Sequence, residues 1–112
     1  MLASGSANPL VSLYALVTRR NCLGHPVAPD QAISRREALR TYTTAGAWLT
    51  REETSKGTLA SGKLADFIVL DRDYFTVPAE EIRELRVLAT FDLVGSGLEP
   101  EVDRCGPAWC LR

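Results

Sequence analysis

Histidine is almost absent from this chain: His25 stands alone among 112 residues. One imidazole cannot build a zinc centre, which takes three or four ligands. Cysteine is scarce as well. Cys22, Cys105 and Cys110 are an odd number, so they set out no disulfide framework, and a reducing cytoplasm is the expected setting. Neither sign of charge is in excess. Thirteen basic side chains against fourteen acidic ones leave a net charge of -1, without the basic footprint of a nucleic-acid or anionic-membrane binder. No apolar run approaches the ~20 residues that span a bilayer. The opening MLASGSANPL has neither the basic n-region nor the apolar h-region of a signal peptide. No glycine-rich phosphate loop follows a strand pattern, and there is no internal repeat or low-complexity segment.

What the chain does have is ordinary globular composition, 46% hydrophobic and 24% charged, enough for one small domain. Asn8-Pro9 predicts a helix start, with Asn8 as the cap and Pro9 where a missing N–H costs nothing. Leu10, Leu13, Tyr14, Leu16 and Val17 form its apolar face, and Arg19-Arg20 suit its electronegative end. Gly24, Pro26 and Pro29 mark residues 21–32 as a loop. Ser34 and Glu37 have the spacing of a capping box, opening a second helix with Ala38, Leu39, Tyr42 and Ala45 on its apolar face. Gly46 is expected to break that helix or pack it tightly, and Thr50-Glu53 repeats the capping spacing for a short third helix.

The period then changes. Ser61-Gly62 is a turn signal, and Ala65–Leu70 reads as a strand buried on both faces. Asp71-Arg72-Asp73 ends it. Val77-Pro78-Ala79-Glu80-Glu81 reads as one helical turn, and Leu85–Val94 as a second strand with Val87, Ala89 and Phe91 on one side and Leu88 on the other. Gly95-Ser96-Gly97 is read as a turn, and residues 98–112 as an irregular tail. Two strands make a marginal sheet alone, so the apolar Ala65–Leu70 segment calls for partners.

Three motifs in order then carry a resemblance. Lys56-Gly57-Thr58-Leu59, Gly62-Lys63-Leu64-Ala65-Asp66 and Ile68-Val69-Leu70-Asp71 resemble the closing segment of the amidohydrolase superfamily. Asn8-Pro9-Leu10 with Tyr14–Arg19, Ser34–Thr43, and Val77–Ile82 resemble its amidohydrolase-3 branch, the YtcJ-like and N-acyl-amino-acid-deacylase-like group. The match covers about Asn8 to Thr90. It implies an α/β class (an α+β fragment): the last helices of a TIM-like metal-dependent hydrolase barrel plus C-terminal strands of a composite β-sandwich. Residues 1–56 would be barrel helices and loops, 57–97 sandwich strands and 98–112 the tail. A complete (β/α)₈ barrel takes roughly 250 residues.

The resemblance also implies chemistry that this segment lacks. Members use a divalent metal, expected to be zinc, to activate water and polarise a non-peptide carbon–nitrogen carbonyl. Their ligands come as an H-x-H pair, a carboxylated lysine or acidic residue, two more histidines and a final aspartate. None of the histidine motifs is present, and the alignment starts this chain after that aspartate, with Met1 an internal or artificial start. No catalytic, cofactor-binding or metal-ligating residue is therefore assigned, and no cofactor is expected in this chain alone. The expected partner is the missing N-terminal barrel of a parent protein or a second copy, with no nucleic acid and no membrane. The alternative is a stand-alone, non-catalytic module that pairs through exposed sheet edges.

Lys63 and Asp66 are read as framing a strand, not as catalytic. His25 is read as a surface or structural loop residue, with substrate contact the alternative. Cys105 and Cys110 have four residues between them, not the two of the C-x-x-C pattern of thiol redox sites, and Cys22 is read as an inert thiol at a helix end. Ser34 and Glu37 are accounted for by capping, and Arg19, Arg20, Arg35 and Arg36 by solvated charge, with anion contact the alternative.

Overall fold

The first helix, α1 (Pro9–Thr18), begins as its sequence dictates: the Asn8 side chain accepts from the Leu10 N–H at 2.9 Å and Pro9 opens the first turn. The computed structural model describes residues 8–92 and the backbone of 95–97; Cys105, Cys110 and the tail lie outside the described residues. Leu10, Leu13 and Tyr14 form the buried face of α1. Arg19 ends the helix in the left-handed region (φ 50°), its N–H returning to the Ala15 carbonyl at 2.9 Å. That conformation costs a non-glycine residue about 1–2 kcal/mol. It is offset where the Arg19 Nε donates to the Val27 and Ala28 carbonyls across the loop.

After a 3-10 turn at Pro29–Gln31, α2 (Arg35–Tyr42) starts on a complete capping box. The Ser34 hydroxyl donates to the Glu37 carboxylate at 2.7 Å and accepts from the Glu37 N–H, while the Ser34 N–H donates to the same carboxylate at 3.0 Å. The hydroxyl bond first, and then the backbone bond, hold the Glu37 carboxyl below the ordinary carboxylate range. A carboxyl depressed on folding contributes stability above its unfolded pKa and loses it as pH falls through the folded one. The first turn of α2 is therefore expected to fray as pH falls below the ordinary carboxylate range. Amide exchange at Ser34 and Glu37 measures it, and Glu37→Gln should flatten the profile.

Two sequence expectations fail in the next segment. Gly46 does not break the helix. The break falls at Thr43 (φ −122°, ψ −91°), and α3 (Thr44–Leu49) runs through Gly46. The Thr50-Glu53 spacing caps nothing, because Thr50 closes α3 instead of opening a helix. Its hydroxyl lies 3.2 Å from the Ala47 carbonyl and 2.9 Å from the Glu52 carboxylate, sharing its one hydrogen within the turn that ends α3.

Residues 51–66 fold back as linked turns. The Lys63 ammonium donates to the Glu53 carbonyl at 2.6 Å and the Lys56 carbonyl at 3.3 Å, and the Leu64 N–H donates to the Ser55 carbonyl at 2.8 Å. Lys63 is thus a clasp across the turn that Gly62 (φ +88°) makes possible.

The sheet is antiparallel, in the order β1 (Phe67–Leu70), β2 (Val87–Asp92), β3 (Gly95–Gly97). Phe67 pairs with Phe91, Ile68 with Thr90 and Val69 with Ala89, and a bulge then sets Leu70 against Val87. Gly95–Gly97 is a strand and not the expected turn, since Asp92 pairs with Gly95 and Thr90 with Gly97. With three α-helices preceding an antiparallel sheet, the class is α+β.

The core lies between α1 and the 3-10 helix Ala79–Glu84. Leu10, Leu13, Tyr14 and Ala38 meet Tyr74, Val77, Ile82 and Leu85 there, so one cluster joins residues on both sides of the 56/57 division. Arg35 and Tyr74 lock α2 to it reciprocally: the guanidinium donates to the Tyr74 carbonyl at 2.6 Å, and the Tyr74 hydroxyl to the Arg35 carbonyl at 3.0 Å. Burial pushes the Tyr74 phenol pKa up. The expectation that Ala65–Leu70 is buried on both faces is overturned. Phe67, Ile68 and Val69 are 37–47% exposed, because among the described residues only Leu70 and Val87 of the sheet reach the core and no second layer covers the rest. Among the described residues, no helix is long and apolar enough to cross a membrane.

Candidate functional site

The polar residues most prominent in the sequence turn out to be busy with the backbone. The Asn21 carboxamide accepts from the N–H groups of Leu23 and His25 at 3.0 and 2.9 Å, and the Asn21 N–H donates to the His25 carbonyl at 3.0 Å. His25 is therefore an exposed residue of a tightly tied turn. Ser34 and Glu37 cap α2. Arg19 and Arg20 donate to the carbonyls of Val27, Ala28 and Gly24, and Arg35 to that of Tyr74. Arg36, Asp66 and Cys22 are exposed, and Cys22 sits in the loop beyond α1 and not at the helix end itself.

One side-chain constellation escaped the sequence reading. Tyr14 on α1 and Glu80 on the 3-10 helix are 66 positions apart, yet the Tyr14 hydroxyl donates to Glu80 Oε2 at 3.3 Å. Arg20 Nε lies 3.8 Å from Glu80 Oε1. The Arg83 guanidinium stacks 4.9 Å above the Tyr14 ring and donates to the Cys22 carbonyl at 3.2 Å. Tyr14 reads in sequence simply as a residue of the apolar face of α1, and only its phenolic oxygen hints at a polar partner. The cluster rivets the loop after α1 to the 3-10 helix. It offers a cation, a carboxylate and a phenol, all engaged with one another, and no nucleophile beside a base.

Metal binding has no support in the donor set. Among the described residues, no group of three or more histidine, cysteine, aspartate or glutamate side chains could hold a metal ion. The Glu52 and Lys56 pair, 3.0 Å apart, is an exposed i,i+4 bridge that lowers the Glu52 pKa, first through the Lys56 bond and then through the Thr50 hydroxyl. Such an exposed pair adds little to stability.

Part of what the structure presents outward is apolar. Phe67 and Phe91 stack at 4.6 Å between centroids on the face they share with Val69 and Ala89. Ile68, Leu88 and Phe75 are also exposed, and Trp48, Leu49 and Leu59 more so, at 69–77%.

Comparison with known proteins gives this arrangement a context. The model of the amidohydrolase family matches residues 4–91. The N-substituted formamide deformylase of Arthrobacter pascens is 37% identical over 87 residues, which are 78% of this chain and 16% of that protein. The chain thus spans well under two thirds of the length of this curated relative. No solved structure matches it.

Proposed function

The chain belongs to the amidohydrolase family, and from that premise we propose that it is the C-terminal portion of a metal-dependent hydrolase of non-peptide carbon–nitrogen bonds. In this reading it is scaffold: the last helices of a TIM-like barrel and the closing strands of a composite β-sandwich. The metal, zinc by the family's habit, belongs to the remainder of the protein, since the described residues here do not fit it. The partner is that N-terminal barrel, and the compartment is the cytoplasm. The observation that carries the reading is β1. It is a wholly apolar strand launched from the Gly62-Lys63 turn, yet Phe67, Ile68 and Val69 remain exposed, as befits one layer of a two-layer structure. The relative's printed activity points to an N-substituted formamide as the substrate class to assay.

The 112-residue chain, purified and incubated with zinc and an N-substituted formamide, is expected to bind less than one equivalent of metal and to release no formate. In native extract, an antibody to the segment is expected to detect a band several times heavier than 12.3 kDa, co-purifying with formamide hydrolysis. Stoichiometric zinc with metal-dependent turnover by the short chain would refute the scaffold role. A band at the chain's own mass, without activity, would favour the non-catalytic module that pairs through its sheet edge, a reading the exposed β1 also supports.

A further inference from the structure

We propose that residues 20–27, the loop after α1, are a pre-folded strap that swings as one body about Arg19 and Ala28, latched by charged side chains of the 3-10 helix Ala79–Glu84. Within the loop the bonds are dense. The Asn21 N–H donates to the His25 carbonyl and the Gly24 N–H to the Asn21 carbonyl, while the Asn21 carboxamide accepts from Leu23 and His25. Arg20 Nη1 donates to the Gly24 carbonyl at 2.7 Å, and Arg20 and Pro26 form a β-bridge. The neck is closed by the Val27 N–H on the Arg19 carbonyl at 2.7 Å, and by Arg19 Nε on the Val27 and Ala28 carbonyls. Below the neck the chain is anchored again, where the Ile33 N–H donates to the Leu16 carbonyl at 3.3 Å. A loop that satisfies its backbone groups internally holds its shape without help from another element.

The two residues that border the strap are strained. Arg19 and Ala28 are non-glycine residues in the left-handed region, at φ 50° and 48°. Ala28 also precedes Pro29, whose ring crowds the residue before it. A turn away from these dihedrals relieves the backbone, which makes the pair natural hinges. Charge opposes the release. Arg20 Nε stands 3.8 Å from Glu80 Oε1, and both side chains are well exposed, at 45% and 64%. The Arg83 guanidinium donates to the Cys22 carbonyl at 3.2 Å, steadied by the Tyr14 ring. The Tyr14 hydroxyl fixes the Glu80 carboxylate from the core side. Contacts between exposed charges are weak and are screened by salt. A segment tied closely within itself and lightly to its neighbour opens before it unfolds. Its opening carries His25 and the exposed Leu23 away from the 3-10 helix.

This inference goes beyond the hydrolase reading, and its test reads N–H orientation and amide protection, not formate or zinc, so either can fail alone. Residual dipolar couplings of the 112-residue chain, aligned in a stretched polyacrylamide gel, provide it. At about 20 mM salt, where screening is slight, the N–H vectors of residues 20–25 and 27 are expected to fit the alignment tensor of α1 and α2. The double variant Glu80→Gln, Arg83→Gln should raise the open population about tenfold, as loss of charged hydrogen bonds does, measured by relaxation dispersion. In that variant the strap vectors should still fit one tensor among themselves but no longer that of α1, with the break at Arg19 and Ala28. The amides of Asn21, Gly24, His25 and Val27 should keep their protection from exchange. Raising the salt to about 500 mM, where the screening length is about 4 Å, should move the unaltered chain the same way. The salt series therefore decides the matter even if the double variant does not fold. Strap amides that lose protection in step with release overturn the proposal, because the loop is then melting. So does a strap that keeps the tensor of α1 and α2 at high salt and in a folded double variant.

Discussion

Ile82→Ala is expected to reduce the stability of this chain by about 2–5 kcal/mol, the range for truncating a buried isoleucine. Ile82 is fully buried, 0% exposed, on the 3-10 helix that packs against α1, with Tyr14 and Leu85 as the other largest buried side chains. The replacement leaves a void at the seam where the helical and sheet-bearing parts meet, so no single element can relax to fill it. Small domains have only about 5–15 kcal/mol to lose, and this one buries few large side chains. Urea unfolding followed by circular dichroism should show the midpoint fall, or a chain already unfolded in buffer. Leu88→Ala provides the contrast. Leu88 is 51% exposed at the β-bulge, and its removal should cost well under half as much. Equal losses at the two positions would mean that the core is not where it is placed here.

Gly57→Ala is expected to cost about 2–4 kcal/mol, combining an unfavourable left-handed backbone with overpacking. Gly57 has φ +95°, and a Cβ there would stand 3.0 Å from the Ala47 Cβ and 3.2 Å from the Thr44 Cα. Neither neighbour can swing aside, since one is a methyl fixed to α3 and the other is backbone. Gly62 separates the two components. Its φ is similar, +88°, but nothing lies within 4 Å of the position a Cβ would take. Gly62→Ala should therefore cost only the backbone component, about 1–2 kcal/mol. Thermal melts of the two variants side by side measure the difference. If Gly62→Ala is as damaging as Gly57→Ala, close packing of the turn on α3 is not what the first glycine provides.

These two glycines show how far local signals reach. Both stand in the motif segments that resemble the amidohydrolases, and nothing in the sequence tells a glycine needed for its dihedral from one needed for its lack of a side chain. Asn8, Pro9, Ser34 and Glu37 could be assigned because a helix cap is complete within four residues, with donor and acceptor both in view. Thr50 and Glu53 have the same spacing and do something else, because Thr50 sits at the end of a helix whose true break is at Thr43.

By itself, then, the sequence determined the family, the starts of α1 and α2, the Gly62 turn and the apolar character of β1. All but the family, which rests on motifs spread along the chain, depend on neighbours within a few positions. Tertiary structure alone decided that Tyr14 meets Glu80 and Arg83, that Arg35 and Tyr74 clasp each other across 39 positions, and that Ile82 lies at the centre of the core. It also decided that Phe67, Ile68 and Val69 face outward. A run of four apolar residues specifies that a strand should be covered. Whether it is covered depends on which other layers come within reach, and that is a property of the folded whole.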